Sequence, residues 1–169
     1  IRAVWYIAIY GLSALALMAA ADWRLAIPTV LWFAGYVFFL RHFVPRMRDL
    51  AKASSELRSL LMGRVVDSYT NILTVKLFAR ARDEDAYVRE AIIDHTGALA
   101  AHMRLITRFM AILSTMNALL LVGTAGIGIT LWGQGEVSAG VVATALRLAW
   151  QIANVAGWVS WEVTGIFEN

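Results

Sequence analysis

Residues 3–21 carry no charge, which at a rise of roughly 1.5 Å per residue is about the length that crosses a ~30 Å hydrocarbon core. Asp22-Trp23-Arg24 interrupts this run with a short turn, and a second apolar span follows over 25–44. Pro28 is expected in the first turn of that span, where its missing N–H costs little. Past Pro45 the pattern changes: Arg46, Arg48, Asp49, Lys52, Glu56 and Arg58 alternate with apolar positions, so this stretch lies in water. Leu50, Leu57, Leu61, Val65 and Ile72 fall on one stripe of an amphipathic helix over 46–72. After a break over 77–82, Asp83-Glu84-Asp85 opens a second such helix, since acidic groups suit a helix N-terminus. Its expected stripe is Val88, Ile92, Leu99, Met103 and Ile106. Charges stop at Arg108, and further spans are expected over 109–132 and 137–161, joined by the tight turn Gly133-Gln134-Gly135-Glu136. The pattern predicts an all-α, polytopic membrane helix bundle with long cytoplasmic helical extensions over 45–108.

Composition agrees with membrane insertion: 60% of residues are apolar and only 16% charged, against roughly half and a quarter in soluble domains. Seven Trp and five Tyr suit a chain that crosses interfaces, where amphipathic rings settle at headgroup depth. Cysteine is absent, which excludes disulfides and thiolate chemistry. The net charge of +3 does not point to nucleic acid, because the cations are concentrated between spans, where they set topology. Residues 41–108 hold most of the Lys and Arg, whereas the two short turns hold only Arg24, so the long segment is cytoplasmic. If both amphipathic stretches are helical, each projects roughly 40 Å beyond the membrane as one arm of a hairpin. A hairpin buries only a narrow stripe within itself, so further apolar contacts imply a partner. The chain opens at Ile1 and stops at Asn169 without a terminating signal, which reads as an excerpt. The first span lacks a basic n-region and a cleavage site, so a signal peptide is not expected.

At the hairpin tip, Gly63-Arg64-Val65-Val66-Asp67-Ser68-Tyr69-Thr70-Asn71-Ile72-Leu73-Thr74-Val75-Lys76-Leu77-Phe78-Ala79 resembles the second intracellular loop of ATP-binding-cassette (ABC) exporters. With the order of two spans, hairpin, two spans, the resemblance covers nearly the whole chain as transmembrane helices three to six of the type-1 exporter fold. It implies a coupling helix at the tip that docks on a nucleotide-binding domain of the same or the opposite subunit. By position its contacts would be Thr74, Lys76, Leu77 and Phe78. The resemblance further implies a second transmembrane subunit, as a homodimer or paired half-transporter, and a surrounding lipid bilayer, with the bacterial inner (plasma) membrane as location. ATP and Mg would act in nucleotide-binding domains outside this segment, for which no cofactor is expected. Phe78 could instead close the hairpin against its own helices.

No GxxxxGK[ST] phosphate loop occurs, and Gly123-Thr124-Ala125-Gly126-Ile127-Gly128 lies within an apolar span, so this chain has no ATPase motif of its own. Those glycines are expected to permit close helix packing. His42, His95 and His102 lack zinc-hydrolase spacing, and the hairpin histidines are expected to be solvated, with no metal site. In the fourth span, Thr144, Arg147, Gln151, Asn154, Trp158 and Glu162 recur at three- and four-residue steps and form one polar stripe. A charged Arg at mid-membrane costs roughly 2.5–3.5 kcal/mol on insertion scales, so Arg147 is expected to face protein or water. The stripe either lines a translocation cavity, with Arg147 favouring an anionic substrate group, or bonds to Ser114, Thr115 or Asn117 and holds the bundle together. A membrane sensor signalling through its hairpin is the alternative function. An intramembrane enzyme is disfavoured, because only Arg147 stands well inside a span. Exporters of lipids, drugs, peptides and metal conjugates share one helical frame, so the substrate is not legible.

Overall fold

The computed structural model describes the backbone at residues 2–73 and 81–166 and the side chains at 9–73 and 85–158. Among these, four helices carry the chain: α1 (Arg2–Ala21), α2 (Trp23–Thr70), α3 (Ala81–Gly133) and α4 (Ala139–Ile166). The architecture is an all-α polytopic bundle. Trp23–Thr70, Asp85–Gly133 and Ala139–Trp158 contain windows long and apolar enough to cross a bilayer, and α1 adds the apolar Ile9–Ala21. The chain divides into two compact units, one holding α1, the start of α2, the end of α3 and α4, the other comprising Val44–Arg108.

The α1–α2 turn is shorter than its sequence suggests. Asp22 caps α2: its carboxylate accepts the Arg24 N–H at 2.8 Å and its carbonyl accepts the Leu25 N–H at 3.1 Å. The helix therefore begins at Trp23, and Pro28 lies beyond the first turn, where it leaves the Arg24 carbonyl without the usual i+4 donor. At the α3–α4 turn, Gly135 adopts φ +76, a left-handed conformation that favours glycine, and its N–H and that of Glu136 close back onto Trp132 and Leu131 carbonyls. Ser138 then accepts the first backbone bonds of α4 from Val141 and Val142.

In the first unit, α1 packs on α4, and the buried face of α4 is the line Ala145, Ala149, Ile152 and Ala156. Alanines let neighbouring backbones approach closely. Gly11 has the same effect on α1, since a Cβ there would run into the Phe33 ring. The expected packing role of the α3 glycines holds for two positions: Gly128 faces Val142, and Gly123 faces the Pro28 ring. Among the described residues, nothing lies within 4 Å of a Cβ placed on Gly126. Phe39 of α2 stacks on the buried Phe109 of α3 at 4.6 Å between ring centroids. Trp32 and Tyr36 also lie inside, stacked at 4.8 Å, whereas Trp23 and Trp132 are exposed as interfacial rings would be. The interfacial expectation therefore fails for Trp32 and Tyr36, whose polar tips find partners within the bundle.

In the second unit, one line of buried and half-buried residues of α2 steps alternately by three and four, with Met47, Ser54, Leu61 and Ser68 alternating with Leu50, Leu57 and Arg64, and Ala51, Ala53 and Val65 flank it. On α3 the same rhythm gives Val88, Ala91, His95, Ala98, His102 and Leu105. This is the heptad seam of a coiled coil. It corrects the expected α3 stripe, because Ile92, Leu99 and Met103 are exposed on this chain and the seam lies about one residue away. Counting only large apolar residues misplaces the stripe, since closely packed helices select small ones such as Ala91 and Ala98. On α2, Leu50, Leu57, Leu61 and Val65 are half-buried as expected, whereas Ile72 is exposed.

The hairpin histidines are likewise not solvated. His102 is buried, and Nδ1 of the half-buried His95 is enclosed with no hydrogen-bond partner among the described residues. Toward the tip, the Arg64 guanidinium crosses the seam. Its Nη1 donates to the Tyr87 carbonyl at 2.7 Å and lies 3.4 Å from the Glu90 carboxylate, and its Cζ stands 4.1 Å over the Tyr87 ring.

Candidate functional site

The polar stripe of α4 lies opposite the buried alanine face. Arg147, Asn154 and Trp158 are exposed on this chain, Gln151 is half-buried at the stripe's edge, and the Glu162 side chain falls outside the described residues. Thr144 is exposed, and its hydroxyl donates to the Gly140 carbonyl at 2.8 Å. It also lines a cavity of about 380 Å³ whose walls include Met18, Leu25, Val141 and Leu148. The remaining stripe residues do not line that cavity. Arg147, Asn154 and Trp158 project away from the chain's own packing face, with Thr144 and Gln151 at the stripe's margin.

Stabilisation of the bundle runs through other groups. Trp32 donates its indole N–H to Asn117 Oδ1 at 3.1 Å, and Asn117 Nδ2 donates to the Ala153 carbonyl at 3.5 Å, linking α2, α3 and α4. The Tyr36 hydroxyl donates to the Ala156 carbonyl at 3.4 Å. Thr115 turns back onto the Ala111 carbonyl of its own helix. Among the described residues, neither Thr115 nor Asn117 bonds to a stripe side chain, so the bundle-holding role falls to α4's backbone carbonyls. Sequence reasoning missed Trp32 and Tyr36. Their position deep within an apolar span, rather than at its ends, was the available signal.

A larger groove of about 760 Å³ lies between α2 and α3, with Leu31, Phe38, Met116 and Leu119 among its walls. Among the described residues, His42 is its one titratable lining residue. Such a lining is almost wholly apolar.

The coupling-contact candidates Thr74, Lys76, Leu77 and Phe78 lie outside the described residues. The helix leading to them is described: Asn71 donates its amide to the Asp67 carbonyl and carboxylate, each at 3.1 Å, and Tyr69 and Leu73 are exposed. Among the described residues, no three His, Asp or Glu side chains gather to hold a metal ion.

The chain matches the model of the ABC transporter transmembrane region over residues 4–153. It is 33% identical over 164 residues to an uncharacterized ABC transporter ATP-binding protein of Haemophilus influenzae. That similarity covers 97% of this chain and 27% of the relative, so the chain spans about a quarter of the relative's length. The fold is also similar to a bacterial Atm1-family ABC exporter solved with ATP bound, with a TM-score of 0.81 at 18% identity, over 96% of this chain and 30% of that one.

Proposed function

The chain belongs to the family of ABC transporter transmembrane regions, and from that premise we propose that its α4 stripe lines the pathway of an ATP-driven exporter for substrates bearing an anionic group. The observation that carries this reading is the direction of Arg147. It is exposed on this chain, yet lipid is a costly environment for a guanidinium at membrane depth, so it faces an aqueous cavity or a second subunit. A second copy of the chain would present a second Arg147 across the gap, and two guanidinium groups would favour an anion between them. Gln151 and Asn154 supply hydrogen-bonding groups beside it, and Trp158 an aromatic face.

ATP and Mg act, in this proposal, in nucleotide-binding domains that meet the hairpin at Thr74, Lys76, Leu77 and Phe78, and their closure moves the spans as rigid bodies. The hairpin is cytoplasmic because it carries most of the cations, and the bacterial inner membrane is the matching location. None of the comparisons points to a sensor.

The test is ATP-dependent uptake of a fluorescent organic anion into inside-out vesicles holding the full-length transporter, with a cation of similar size as control. Uptake of the anion that is lost in Arg147→Gln and kept in Arg147→Lys supports the reading. Uptake indifferent to the charge at position 147 contradicts it.

A further inference from the structure

The hairpin seam thins toward its tip. Beyond Leu61, α2 offers Arg64 and Ser68 with Val65 beside them, and on α3 the positions before His95 are Ala91 and Val88. Small side chains bury little apolar area, and apolar contact is non-directional, so such a seam resists neither separation nor axial sliding well. Arg64 occupies a seam position that a coiled coil ordinarily fills with an apolar residue. Its side chain is 19% exposed and makes three contacts with one turn of α3: the Tyr87 carbonyl, the Tyr87 ring and the Glu90 carboxylate. A hydrogen bond to a backbone carbonyl fixes position along the helix axis, which a contact between apolar side chains does not. The three contacts suit a planar cation with several N–H groups, since the guanidinium carbon lies over the ring while Nη1 donates; a lysine ammonium, a compact point charge, matches this arrangement less well.

We propose that Arg64 is a positioning residue for energy coupling: it locks the register of the two hairpin helices within about two turns of α2's end at Thr70, so that displacement of the tip moves both helices together. This rests on the coupling role proposed for the tip. Without the lock, tip movement is absorbed by sliding between α2 and α3, and nucleotide turnover continues while the spans respond less.

The test uses the full-length transporter in proteoliposomes with a single cysteine at Asn154, in the parent, Arg64→Met and Arg64→Lys. Arg64→Met keeps the aliphatic stem and removes the guanidinium. Each protein is assayed for ATP hydrolysis and for reaction of the cysteine with a small methanethiosulfonate, nucleotide-free and trapped with ATP and vanadate. The expected result is a nucleotide-dependent change in reactivity in the parent, at least a threefold smaller change in Arg64→Met at similar hydrolysis, and an intermediate change in Arg64→Lys. A parent with no nucleotide-dependent change overturns the coupling reading itself. A parent that responds and an Arg64→Met variant that responds equally overturn the role of Arg64 alone. Should Arg64→Met fail to reach the membrane, Arg64→Lys decides: a reduced response with full hydrolysis supports the lock, and an unchanged response overturns it.

Discussion

Arg24 and Glu136, 112 residues apart, meet at 2.7 Å and tie the α1–α2 turn to the α3–α4 turn. Both side chains are 43% exposed, so the pair belongs to the class of partly solvated bridges that contribute roughly 0–1 kcal/mol and weaken with salt. Arg24→Glu places two carboxylates together and is expected to lower the thermal midpoint of the detergent-solubilised protein at low salt. The exchange Arg24→Glu with Glu136→Arg is expected to recover most of that loss. Equal midpoints for the single and double variants would mean that the turns are held by backbone geometry alone.

The link from Trp32 through Asn117 to the Ala153 carbonyl is the main polar connection described among α2, α3 and α4. Interhelical hydrogen bonds in membranes contribute on average about 0.6 kcal/mol, with a maximum near ~1.7. Asn117→Ala and Trp32→Phe should therefore show a coupling energy of roughly 0.5–1.5 kcal/mol in a double-mutant cycle of reversible unfolding. Strict additivity would show that the bond contributes nothing to stability.

Gly128 and Gly126 offer a matched comparison on one helix. A Cβ on Gly128 would lie 2.9 Å from Val142 Cγ1, whereas one on Gly126 meets open space. Gly128→Ala is expected to cost about 1–3 kcal/mol through overpacking, partly relieved by Val142→Ala. Gly126→Ala is expected to be neutral or to gain up to about 1 kcal/mol from helix propensity. Thermal denaturation of the three variants checks the order, and a stabilised Gly128→Ala would refute the close approach of α3 and α4.

Phe78 is the large aromatic among the proposed docking contacts at the tip. Truncating a central interface aromatic commonly costs ~2 kcal/mol or more. Phe78→Ala in the full-length protein should weaken docking of the nucleotide-binding domain and uncouple hydrolysis from movement of the spans, while the protein remains folded in the membrane. Unimpaired ATP-driven uptake of the organic anion would remove Phe78 from the coupling path.

The helical order was legible because long uncharged runs and alternating charge leave little choice of environment. The turn signals Asp22 and Gly135 likewise stand where the chain reverses. The α3 seam was not legible. Ile92, Leu99 and Met103 dominate a count of apolar side chains, yet close approach of two helices selects Ala91 and Ala98 and encloses His95 and His102 instead. The roles of Trp32 and Asn117 depend on partners in distant helices, as does the pairing of Arg24 with Glu136, and no local spacing encodes these. The α4 stripe was legible as a periodic pattern, and the structure adds its direction, away from Ala145, Ala149 and Ala156.

The central claim, that this direction opens on a pathway that ATP rearranges, is tested most directly by thiol accessibility. The chain contains no cysteine, so single cysteines at Gln151 and Asn154 report without background, with Val122 on an exposed apolar face of α3 as control. In the full-length transporter, both stripe positions are expected to react with a small water-soluble thiol reagent, at rates that differ between the nucleotide-free and ATP-trapped states, while Val122 stays inert in both. Stripe cysteines as unreactive as Val122 in both states would contradict the account, because the stripe would then be a packing surface.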